Sequence, residues 1–216
     1  MGNWDEPLPK HTKFDYYECY AKVVLEELYP EEFKNLEIKD KPDLQMKYGG
    51  VGVEVTNSVD KDQLKAEGLY IDIEYNRVRN ATKAVEEIKK CGCNLKNGIL
   101  IGKTSSSSFK LILEAFDKKL EKLNSGNYRY FDKNYLFVFS DIHVNDRMVM
   151  EAIQDMRQKQ ISIKRQYNKV FVLVPGYFYS LNLHIGSYEK IRIDFRLQGV
   201  QADRARELVE EYEKRK

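Results

Sequence analysis

Residues 40–57 read DKPDLQMKYGGVGVEVTN, and the second half of that run decides the fold class. In Val51-Gly52-Val53-Glu54-Val55-Thr56 the valines alternate with Gly, Glu and Thr, so an extended chain turns a branched apolar face to a core and carries Glu54 beside Thr56 on the other. Upstream, Pro42-Asp43-Leu44-Gln45 sets Asp43 and Gln45 on one face of a second extended segment, about 36–46. Gly49-Gly50 between them is a turn signal, so the two segments are expected to pair antiparallel. That pairing brings Asp43 and Glu54 within a few ångströms, which is unfavourable for two carboxylates unless a cation sits between them.

Working outward, Tyr17, Ala21, Val24 and Leu28 recur at helical spacing ahead of Pro30 and predict a helix over about 14–28, with Asp15 helping to start it. Downstream, the 3-and-4 spacing from Leu64 to Ile88 predicts one long helix over 62–90 or two broken near Asn80. A glycine-bounded strand over 98–102 follows, then a helix over 109–123 for which Ser105 to Ser108 offer caps. Tyr135 to Ser140 and Val170 to Val174 are continuous apolar runs of buried-strand length, separated by a helix over 146–160. Further strands over 178–183 and 190–195 and a charged amphipathic helix over 201–216 complete the chain. The succession α-β-β-α-β-α-β-α-β-β-β-α implies an α/β fold, a mixed sheet with helices on both faces. No repeat of fixed period is visible.

Composition agrees with this. The chain has 216 residues, enough for one elaborated core, and its five prolines are too scattered to mark a linker, so 1–216 reads as a single domain. Hydrophobic residues make up 42% and charged ones 32%, values of soluble globular chains, and no apolar run approaches the roughly 20 residues of a membrane span. The polar start, Met1 to Lys13, lacks the apolar centre of a secretory signal, so a cytoplasmic protein is expected. Cys19, Cys91 and Cys93 do not suit a disulfide framework, and His11, His143 and His184 are too dispersed for a zinc site. With 36 basic against 34 acidic residues, the net charge of +2 means that any nucleic-acid site is local.

A third carboxylate follows from helical angles. Taking Tyr17 as zero, the apolar stripe of the first helix centres at about 20° near Leu28 and Glu18 lies at about 100°, on its border. Glu27 at the opposite border is the reserve choice.

The run Asp40-Lys41-Pro42-Asp43, the glycine-rich turn, Val51 to Thr56 and the preceding helix with an inward Glu18 together resemble the PD-(D/E)xK nuclease superfamily. The resemblance implies a restriction-endonuclease-like core over about 14–140, extended by sheet and helix over about 141–216. It further implies that Asp43, Glu54, the Val55 carbonyl and Glu18 hold a divalent metal, Mg²⁺ or Mn²⁺, for phosphodiester hydrolysis. Nucleic acid is then the expected partner, DNA ahead of RNA, with a homodimer compatible and bacterial or phage defence as the setting. The departure is Thr56, which stands where the family has a lysine and cannot supply its charge. Some members take this lysine from another element, and Lys61 or Lys65, at the start of the next helix, are the candidates here.

Two other readings remain open. A catalytically inactive member of the same fold would bind nucleic acid or a protein and would explain Thr56. Nucleotide binding is suggested by Gly102-Lys103-Thr104-Ser105 ahead of a helix, but the interval from Gly98 to Gly102 is one residue short of a P-loop and apolar.

Overall fold

The computed structural model describes residues 5–9, 11–48, 50–103, 108–126 and 128–214. Among these, a mixed seven-stranded sheet is flanked by helices on both faces. Helix α1 (Tyr16–Leu28) begins where the Asp15 carboxylate accepts from the N–H groups of Tyr17 and Glu18, and it ends ahead of Pro30. Strands β1 (Glu37–Ile38), β2 (Leu44–Gln45) and β3 (Val51–Asn57) form an antiparallel meander. The single extended segment expected over 36–46 is therefore two short strands. Pro42 interrupts the ladder and Lys41, at φ 57°, reverses the chain.

Helices α2 (Lys61–Glu74) and α3 (Ala81–Lys90) resolve the long helical pattern into two, with Asn80 accepting from the Lys83 N–H to start the second. Strands β4 (Asn94–Lys96) and β5 (Ile99–Ile101) pair only with each other. The strand expected over 98–102 is thus outside the main sheet. Asn97 and Gly98 both have positive φ, the requirement of a tight hairpin turn, and Ile99 is 65% exposed. This small lobe has its own core of Ala66, Ile88, Cys91 and Cys93. All three cysteines are free.

Helix α4 (Lys110–Asn124) returns the chain to β6 (Lys133–Phe139), which lies parallel to β3. Of the serines expected to cap α4, Ser108 accepts from the Lys110 N–H, and Ser105 to Ser107 lie outside the described residues, as do Gly49, Thr104, Arg215 and Lys216. Helix α5 (Asp146–Gln160) leads to β7 (Tyr167–Val174), parallel to β6. The hairpin strands β8 (Tyr177–Asn182) and β9 (Ser187–Arg192) extend the sheet, and α6 (Phe195–Lys214) packs on α1. The sheet order is β1-β2-β3-β6-β7-β8-β9.

Each face of the sheet has its own core. Val51, Val53, Val55, Tyr135, Phe137 and Phe171 pack under α1, while Leu136, Val138, Val170 and Val172 pack under α4 and α5. The alternation in β3 accordingly buries its valines against α1 and sends Glu54 toward α4. No helix among the described residues is long and apolar enough to cross a membrane.

Candidate active site

Continuing the β2–β3 register one residue beyond Leu44 and Val53 sets Asp43 opposite Glu54. Asp43 closes the turn between β1 and β2, and its Oδ2 accepts from the Val55 N–H at 2.7 Å, just past the end of β2. The N–H and C=O of a strand residue share an edge, so the Val55 carbonyl faces the same side as Asp43. Gly52 makes this turn fit: a Cβ there would meet Pro42 Cγ at 2.6 Å and the Phe131 ring at 2.9 Å. Pro42 and Phe131 therefore close over β3 beside the Asp43 turn.

The Glu54 side chain is 6% exposed and that of Lys119, on α4, 16% exposed. Glu54 Oε1 accepts from Lys119 Nζ at 2.6 Å and from the Tyr128 hydroxyl at 2.9 Å. Glu54 Oε2 is buried and has no hydrogen-bond partner among the described residues. The chain entering β7 holds both of these donors in place. The Tyr167 hydroxyl donates to the Lys119 carbonyl at 3.2 Å, and Arg165 Nη1 donates to the Tyr128 carbonyl at 2.9 Å. Asn124 at the end of α4 bonds both the N–H and the carbonyl of Arg165, so this frame is rigid.

The acids crowd one another. Burial, and then the charge of Glu54, push the Asp43 carboxyl above its ordinary range. Burial raises Glu18 to about 8, with Asp43, Asp15 and Glu54 adding to the effect. Burial and Glu54 also raise the Tyr128 hydroxyl, which keeps its proton and remains a donor. The Glu18 carboxyl thus feels the charges of Asp43 and Glu54. Glu27, the reserve, is committed elsewhere and accepts from Gln201 and Arg204 of α6.

The expected lysines are not the ones that reach Glu54. Lys65 pairs with Glu87 of α3 at 3.2 Å, where α2 packs on α3 in the small lobe. Lys61 lines a cleft of about 780 Å³ between α4 and the start of α2, together with Thr56 and Lys119. Lys103, from the P-loop-like run, is spent on Asp60 at 2.7 Å and Asp62 at 3.2 Å.

Lys119 and Tyr128 were not anticipated. A signal for Lys119 exists in the sequence: it follows Ile112 and Phe116 and precedes Leu123 at the 3-and-4 spacing of the buried stripe of α4, a slot where a lysine needs a partner. Nothing in the local sequence marks Tyr128.

No three His, Cys, Asp or Glu side chains among the described residues converge to hold a metal by themselves. The donors at this edge are two carboxylates and a carbonyl, hard oxygens of the kind that suit Mg²⁺ or Mn²⁺. A buried Glu54 oxygen without a hydrogen-bond partner among the described residues, with the raised Asp43 carboxyl at the opposite register position, fits such a cation. Comparisons with protein-family models, with curated proteins and with solved structures found no match.

Proposed function

We propose that this chain is a divalent-cation-dependent phosphodiesterase acting on nucleic acid, built on a restriction-endonuclease-like core. The observation that carries the reading is the division of labour at Glu54. One oxygen is taken by Lys119 and Tyr128, while the other is buried with no hydrogen-bond partner among the described residues, and Asp43 stands at the opposite register position.

In this reading Asp43, Glu54 and the Val55 carbonyl hold Mg²⁺ or Mn²⁺, with Glu18 as the outer acid. Such an ion supplies the charge that polarises a phosphoryl oxygen and makes hydroxide available near neutral pH. Lys119 does what Thr56 cannot: its ammonium, fixed on Glu54, orients the attacking water and meets the charge that grows on phosphate. Tyr128 donates to the same oxygen and helps to hold Glu54 in place. Lys118 and Lys122 of α4, lining the cleft that leads to Lys119, offer cations to the phosphates on either side.

The test is incubation of the purified chain with single- and double-stranded DNA and RNA in Mn²⁺, Mg²⁺ or chelator. Cleavage in either cation, none in chelator and none from Asp43→Asn is the expected result. Undiminished cleavage by Asp43→Asn overturns the assignment. A melting temperature raised by Mn²⁺ without any cleavage would favour the second reading that Thr56 suggests, a cation-holding protein that binds without hydrolysing.

A further inference from the structure

Between α4 and β6 the chain reads Tyr128-Arg129-Tyr130-Phe131, and its alternate residues have opposite fates. Tyr128 turns in to Glu54, and Phe131 is buried over Gly52 and Pro42 beside the Asp43 turn. Tyr130, held between two residues that touch the site, is 71% exposed. Its ring is not idle surface. The Arg165 guanidinium lies 5.8 Å from its centroid, and that guanidinium is locked by its bond to the Tyr128 carbonyl. Arg129, also exposed, lies 5.4 Å from the Phe131 ring. An outward aromatic ring thus lies against one arginine and next in sequence to another, one residue from the wall of the site.

We infer that Tyr130, backed by Arg165 and flanked by Arg129, is a stacking platform for an unpaired base, and that single-stranded nucleic acid is the ligand this site receives. Two arguments separate this from a duplex. A base inside a duplex shows its ring face only when it is unstacked or flipped out, at a cost of a few kcal/mol, whereas every base of a single strand offers its face freely. With a net charge of +2 the molecule has little long-range attraction for a polyanionic duplex, so ring stacking has to supply affinity that charge does not. The direction of the strand follows from Glu54. Tyr128 and Lys119 share one oxygen of that carboxylate, and Lys119 also lines the cleft, so a strand anchored on Tyr130 crosses Glu54 on its way to the lysines of α4. The inference rests on the hydrolase reading only for that crossing; the platform itself stands on the loop.

The experiment is fluorescence anisotropy of the full chain in chelator, where nothing is cleaved, with labelled oligothymidylate and a mixed-sequence duplex of equal length. The single strand should bind at least about tenfold tighter than the duplex. Tyr130→Ala should weaken single-strand binding about tenfold, within the range that one base–aromatic stack contributes, while Tyr130→Phe retains it and leaves duplex binding unchanged. Equal or tighter binding of the duplex, or unchanged single-strand binding by Tyr130→Ala with an unchanged melting temperature, overturns the platform. The two readings fail separately: binding that depends on Tyr130 without cation-dependent cleavage removes the hydrolase and keeps the platform. Duplex cleavage that is indifferent to Tyr130→Ala does the reverse.

Discussion

Two glutamates in this molecule each meet one lysine and one tyrosine, yet they use their carboxylate oxygens differently. Glu32 Oε1 accepts from the Tyr135 hydroxyl at 2.6 Å and its Oε2 accepts from Lys169 Nζ at 2.9 Å. Both oxygens are served. Burial pushes the Glu32 carboxyl up, but Tyr135 and Lys169 outweigh it and hold the group below its ordinary range. At Glu54 both donors crowd one oxygen, the other has none among the described residues, and the carboxyls of Glu18 and Asp43 are driven upward. The first arrangement is a closed ion pair that ties the segment after α1 to β6 and β7. The second leaves capacity for a ligand at a standing electrostatic cost. Identical residue types therefore say little about role; how the lone pairs are used says more.

The largest expected effect separates the two. Glu54→Gln should lower cation-dependent cleavage at least about a thousandfold, roughly 4 kcal/mol of barrier, while Glu32→Gln changes it less than about twofold and lowers the melting temperature instead. Rate assays with thermal melts on both variants check this, and comparable loss of cleavage in Glu32→Gln at full stability would erase the distinction.

Next in size is the lysine. Lys119→Met should cost about a hundredfold in rate, ~2.7 kcal/mol, and about 3 kcal/mol in stability, because it leaves the Glu54 charge buried without its partner. The double variant Lys119→Met, Glu54→Gln should recover much of that stability and none of the activity. Lys61→Ala and Lys65→Ala should stay within about twofold of the parent. A larger loss in either would move the role proposed for Lys119 to α2.

The smallest effect is on stability against pH, and its sign differs at the two sites. The raised Glu18 and Asp43 groups keep protons in the folded state that the unfolded chain has released, so their contribution is lost as pH rises from the ordinary carboxylate range to about 8. Glu32, being depressed, contributes stability that is present above the ordinary carboxylate range and lost as pH falls below it. Asp43→Asn, which can still accept from the Val55 N–H, should therefore stabilise the protein at pH 8 by about 1 kcal/mol, allowing for its partial exposure, and by less at pH 5. Melts across that range decide it, and destabilisation at pH 8 would mean that Asp43 is a structural acceptor first.

Much of the architecture was legible from periodicity, since an amphipathic pattern reports which face is buried regardless of what covers it. Helices α1, α4 and α5 and strands β3, β6 and β7 follow from that rule to within a few residues. The β4–β5 hairpin was missed because Gly98 was read as the boundary of a lone strand over 98–102, although Asn97-Gly98 carried the turn signal. Asp43 and Glu54 were legible as a pair because a hairpin connects them over eleven positions, and local register can be counted along the chain.

Lys119 and Tyr128 lie 65 and 74 positions from Glu54, and only the packing of α4 and of the segment after it sets them on its carboxylate. By itself the sequence determined the alternation that points Glu54 away from the valine core, the turn that brings Asp43 to it and the stripe that seats Lys119 toward the protein interior. Tertiary structure alone decided which lysine meets Glu54, which oxygen is left unpartnered and which tyrosine faces out. Those outcomes depend on how distant elements dock in space, and a periodic pattern carries the direction in which a side chain points but not the partner it finds there.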